Sequence, residues 1–170
     1  IVESTRLTKV EEAPFAGVEN GKVSWGDYDK DGDMDLALMG SSADGTITNV
    51  YQNNEGVFKN TNQNFTKYIG GDIEFVDVNQ DGFVDLILAG HEWDERSIVL
   101  WGSENGFNTS DKTIVPLIET TVSFPMGTIV DIKVADLNYD GKKEIIFLRT
   151  GGGEDGSGTD IGYFYSGWYI

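Results

Sequence analysis

The feature that most constrains this chain is an internal repeat. Residues 23–38 (VSWGDYDKDGDMDLAL) align with 73–88 (IEFVDVNQDGFVDLIL) and with 132–147 (IKVADLNYDGKKEIIF), at offsets of 50 and 59 residues. A period of this size means that one supersecondary unit recurs and buries its apolar faces against its neighbours. Whatever one unit does locally, the fold does three times.

Within each unit the segments flanking the Asp-rich stretch are short, rich in β-branched and aromatic residues, and bounded by Gly and Asn. That pattern reads as strand rather than helix, and no segment carries a convincing amphipathic helical period. Further strands are expected at 46–52, 97–101 and 161–170. Turn signals stand at Asn20-Gly21, Asp44-Gly45, Glu55-Gly56 and Asn105-Gly106. Each unit is therefore about four short antiparallel strands, with units at about 14–66, 67–118 and 119–170, the last incomplete. The expected class is all-β, with tandem four-stranded blades of a β-propeller. Propellers usually carry about four to eight blades, so three imply further blades outside this chain, a ring completed by oligomerisation, or a strand supplied by segment 5–10. The competing architecture is a β-sandwich of a dozen strands.

The Asp-rich stretches have the chemistry of a calcium loop. Calcium takes about six to eight oxygen ligands, which a short loop supplies when alternate side chains converge and a glycine permits a sharp turn. In the first loop Asp27, Asp29 and Asp31 stand at positions 1, 3 and 5, Gly32 at 6, Asp33 at 7 offers its carbonyl, and Asp35 at 9 closes the site. The same roles fall to Asp77, Asn79, Asp81, Gly82, the Phe83 carbonyl and Asp85 in the second loop. In the third they fall to Asp136, Asn138, Asp140, Gly141, the Lys142 carbonyl and Glu144. Position 12 is Leu38, Leu88 or Phe147 instead of the bidentate Glu of an EF-hand, and strands replace the flanking helices. Calmodulin-like switching is thereby excluded. Asp-Gly turns whose side chains bond their own backbone are the competing explanation. Three loops in one register, the first with five carboxylates, argue instead for up to three calcium ions.

These loops, the pairs before them (Trp25-Gly26, Phe75-Val76, Val134-Ala135) and Phe58 and Phe107 after the late turns resemble the calcium-binding repeats of the integrin α-subunit propeller, the FG-GAP type, and especially their bacterial VCBS relatives. The resemblance covers nearly the whole chain. It implies propeller blades, structural calcium and a role in adhesion or in protein or carbohydrate recognition at a cell surface. No Gly-Ala-Pro signature is present, so the bacterial variety fits better. Glu144 adds a methylene and Lys142 and Lys143 flank the third loop, which makes it the weakest of the three.

A net charge of −17 with only 12 scattered basic residues argues against nucleic acid, which must be met by clustered Lys and Arg. It also argues against adsorption to an anionic membrane, and no apolar run approaches the roughly 20 residues of a spanning helix. There is no cysteine, so disulfides and thiolate sites are excluded. The chain starts at Ile1 without a leader, so any signal peptide is expected to be removed or to lie upstream. Weak calcium sites fill where calcium is abundant, which points to an extracellular, cell-surface or periplasmic setting.

Ions held between adjacent strands leave little room for a substrate, so recognition is expected on the opposite face, at 41–45, 91–96 and 151–160. There His91, Trp93 and Arg96 combine an aromatic ring with polar groups. His91 is the only histidine, and nothing marks a catalytic base or nucleophile. A non-catalytic module is expected, with the scaffold of a secreted polysaccharide-degrading enzyme as the alternative.

Overall fold

The computed structural model describes residues 13–91, 97–115 and 129–149. Among them are ten strands and no helix. Strands β1 (Glu19–Gly26), β2 (Asp35–Ser42), β3 (Gly45–Asn54) and β4 (Val57–Asn60) form one sheet in chain order. β5 (Ile69–Val76), β6 (Asp85–His91), β7 (Ile98–Leu100) and β8 (Lys112–Ile114) form a second, and β9 (Ile129–Ala135) pairs with β10 (Glu144–Arg149) in a third. Every pairing is antiparallel. The first strands of the three sheets, β1, β5 and β9, lie side by side in that order. The sheets follow one another like propeller blades, and the described residues do not close the array. The expected segments 5–10 and 161–170 lie outside the described residues.

The second strand of each unit carries an unbroken apolar run, and in the middle sheet both of its faces are covered. On β6, Leu86 and Leu88 join a core with Ala37, Met39 and Val50 of the first sheet, whereas Ile87 and Ala89 turn the other way onto Ile132, Ile145 and Phe147 of the third. Alternate residues thus serve alternate interfaces, as the two-residue period of a strand requires. A smaller cluster of Leu36, Leu38 and Tyr51, covered by Phe15, Val18 and Phe58, lies on the far face of the first sheet. Cores that recur between successive sheets rule out a two-sheet sandwich.

Between the sheets, single side chains make the bonds that ladders make within them. The Ser24 hydroxyl accepts from Phe75 N at 2.9 Å, and the buried Asp72 carboxylate accepts from Ile132 N at 2.8 Å. Gly26 permits the first approach, since a Cβ there would lie 2.9 Å from Phe75 Cβ.

The expected strand at 46–52 falls inside β3, and that at 97–101 shortens to β7. Asp44-Gly45 and Glu55-Gly56 sit at hairpin turns. Asn20-Gly21 differs: it lies inside β1, where the register shifts between Glu19 and Lys22. The left-handed backbone of Asn20 (φ 50°) is spent on a bulge rather than on a turn. The second sheet repeats the irregularity between Ile69 and Asp72 with Gly70 and Gly71. Gly71 has φ +98°, and a Cβ there would fall 2.0 Å from the Ala89 carbonyl oxygen. Gly71→Ala is expected to cost at least the ~1–3 kcal/mol of a strained backbone plus the displacement of β6. Denaturant unfolding would measure it, and a loss below that range would show that the bulge relaxes.

Candidate metal centre

Each Asp-rich stretch is the connection between the first two strands of a unit. The final ladder pairs, Gly26 with Asp35, Val76 with Asp85 and Ala135 with Glu144, pin both ends of the loop. Between them the chain folds the same way three times. The glycine at position 6 has positive φ in all three, as does the residue at position 4: Lys30, Gln80 and Tyr139.

The hydrogen bonds repeat as well. Position 1 accepts from the position 6 amide: Asp27 from Gly32 at 3.1 Å, Asp77 from Gly82 at 2.9 Å and Asp136 from Gly141 at 2.9 Å. Position 3 accepts from the position 5 amide, through Asp29, Asn79 and Asn138. Position 5 accepts from position 7, through Asp31, Asp81 and Asp140 to the amides of Asp33, Phe83 and Lys142. Side chains therefore do bond their own backbone, as in an Asp-Gly turn.

Ligand oxygens of Asp27, Asp29 and Asp35 all lie within 4.8 Å of one another. Asp27 Oδ1 and, in the second loop, Asp77 Oδ1 are buried atoms with no hydrogen-bond partner. A carboxylate oxygen withdrawn from water without a donor is costly, and a hard cation at the centre of the loop would satisfy it. The donor set fits such an ion in these two loops. In the third loop Asp136 spends its second oxygen on the Asp140 amide at 3.2 Å, so the same orphan does not arise. The loop with Glu144 at position 9 thus differs at position 1 as well.

The acid at position 9 does more than the sequence suggests. Asp35 is fully buried; its oxygens accept from Tyr28 N at 3.0 Å and Asn53 N at 2.7 Å. Asp85 does the same with Val78 N and Gly102 N, both at 2.8 Å, and Glu144 accepts from Leu137 N at 2.7 Å. In the first two units this side chain ties the start of the loop to the third strand or the residues just after it. Burial raises the pKa of Asp35 to about 6, against the hydrogen bonds from Asn53 and Tyr28 and with the charges of Asp29 and Asp31 adding to the rise. Asp85 is shifted up for the same leading reason. Burial and the neighbouring carboxylates push Tyr28 to about 12.

Several supporting groups escape a reading of the loops alone. Gln52 donates to Asp29 Oδ2 at 2.6 Å, Glu55 N to Asp33 Oδ2 at 2.6 Å, and the Asn53 amide to the Met34 carbonyl at 3.0 Å. All lie beyond the position 9 acid, at the β3–β4 turn. Their one sequence signal is the Asn-Asn-Glu-Gly turn itself. Neighbouring loops also touch. Lys30 stands 3.7 Å above the Phe83 ring, Gln80 donates to the Gly141 carbonyl, and Lys143 donates to the Asp77 carbonyl at 2.8 Å. Beside the last two contacts a cavity of about 110 Å³ opens between the second and third sheets, walled by Val78, Val99, Trp101 and Ile145.

On the opposite side, Ser42 donates to the Gly45 carbonyl at 2.7 Å and closes the β2–β3 turn. His91 is the last residue of β6, opposite Ile69. Trp93, Arg96 and segment 151–160 lie outside the described residues.

No curated protein matches the chain. The sequence model of the FG-GAP-like repeat matches residues 27–88 and again 77–147, each match running from one Asp-rich loop through the strand that follows the next. These matches span well over half of the 170 residues, and with the loops and sheets in register they make the protein a member of the FG-GAP-like repeat family.

Proposed function

We propose that this chain is a calcium-stabilised ligand-binding or adhesion module rather than a catalyst, and that it works outside the cytosol. The observation that carries the reading is the pair of buried, unpartnered oxygens at the same position of two repeats, Asp27 Oδ1 and Asp77 Oδ1. Asp29, Asp31 and Asp35 complete the first site, with the Asp33 carbonyl. Asn79, Asp81 and Asp85 complete the second, with the Phe83 carbonyl. Asp136, Asn138, Asp140, Glu144 and the Lys142 carbonyl form the third, which binds most weakly. The ions are structural: they neutralise the carboxylates and fasten the first hairpin of each unit. Protein or carbohydrate ligands bind the face of the β2–β3 turns, away from the ions.

Calorimetric titration with calcium tests the ion sites. Wild type is expected to bind at least two ions, and Asp31→Ala with Asp81→Ala to lose both. No heat at millimolar calcium would remove the reading. Glycan and cell-surface binding, measured in calcium and in chelator, tests recognition: binding is expected in calcium and not in chelator, and no binding in either would reduce the chain to a spacer.

A further inference from the structure

The repeat supplies its own control for which surfaces should be covered. Val23 and Trp25 of β1 are 53% and 49% exposed, whereas the residues in the same positions of the second unit, Ile73 and Phe75, are 0% and 6% exposed because the first sheet packs on them. Most other members of that face have apolar counterparts in place: Phe15 for Phe65, Val18 for Tyr68, Leu36 and Leu38 for Leu86 and Leu88, Tyr51 for Leu100 and Phe58 for Phe107, while Asn49 stands where the second unit has Ile98. The cluster on the far face of the first sheet is thus half of an inter-sheet core whose other half is not supplied by the described residues.

At the other end two loop residues that complete such a core in the earlier units are exposed. Tyr28 and Val78, at position 2 of their loops, are buried under the following sheet, while their counterpart Leu137 is 51% exposed. At position 4, Lys30 and Gln80 reach the following loop, while Tyr139 is 93% exposed. The polar row fits too. Lys22 of β1 pairs with Asp72 of β5 at 3.8 Å, and the third member of that row is Asp131 of β9, an acid that would meet Lys22 of a following first unit.

We propose that these two ends are the two halves of one interface, and that the chain binds head to tail to a second copy of itself. The occupant is specified by continuity with an interface that the chain already makes twice. The contact is heterologous, and with two copies it closes when each leading face receives the other's trailing face. Two copies carry six repeats, within the range of about four to eight blades that close a propeller.

Light scattering after size exclusion, in calcium and over a concentration series, is expected to give twice the 18.7 kDa of one chain. Val23→Asp spoils the leading face and Leu137→Asp the trailing face. Each alone should run as a folded monomer, with circular dichroism confirming the strands. Mixed, they should pair one to one, because each retains the face that the other has lost. A monomeric wild type would overturn the proposal and leave both faces to other repeats or another protein. A dimer broken by Val23→Asp but untouched by Leu137→Asp would also overturn it, in favour of two leading faces meeting each other.

Discussion

Calcium in excess is expected to raise the unfolding midpoint by roughly 10–20 °C over the same chain in chelator. A ligand present at 100 times its dissociation constant stabilises by about 2.7 kcal/mol per site. For a chain of this size each kcal/mol moves the midpoint by about 2–4 °C. The first and second loops, each with an unpartnered position 1 oxygen, account for two sites and hence that range. The third adds less, because Asp136 already uses both oxygens. Scanning calorimetry with and without chelator measures the difference, and coincident transitions would show that the loops hold themselves together without an ion.

Asp85→Ala is expected to destabilise the chain by roughly 3–5 kcal/mol even in chelator. The Asp85 oxygens satisfy the buried amides of Val78 and Gly102, and each orphaned amide costs about 1–3 kcal/mol. Relief of the buried charge, which holds the Asp85 pKa above the ordinary carboxylate range, offsets part of this at neutral pH. Asp81→Ala is the contrasting variant. Asp81 is exposed, so its loss in chelator should stay within about 1 kcal/mol, while the calcium increment of its loop disappears. Urea titrations of both variants in both conditions separate fastening from ion binding. Equal losses in chelator would mean that position 9 is only another ligand.

Local patterns were the legible part of this protein. The strands beside each loop, the glycine turns and the common register of three loops follow from two-residue periodicity and from the left-handed backbone that Gly32, Gly82 and Gly141 supply. What crosses between distant segments was not legible. Nothing near Asp35 says that its second oxygen will meet Asn53 N, 18 residues on; strand pairing brings that amide there. Likewise Asn20-Gly21 carries the residues of a turn, and only its place between the pairs Glu19–Ser41 and Lys22–Met39, two residues against one, makes it a bulge. The recognition face was inferred from topology alone, and of its three named residues only His91 falls in a described strand.

The contacts from Gln80 to the Gly141 carbonyl and from Lys143 to the Asp77 carbonyl mean that the second and third loops do not form independently. On the proposed calcium reading, an ion that ordered one loop would pre-shape its neighbour across the sheet boundary, and its departure would loosen both. Calcium titration of these two loops is then expected to be steeper than independent sites allow, with the third site gaining affinity once the second is filled.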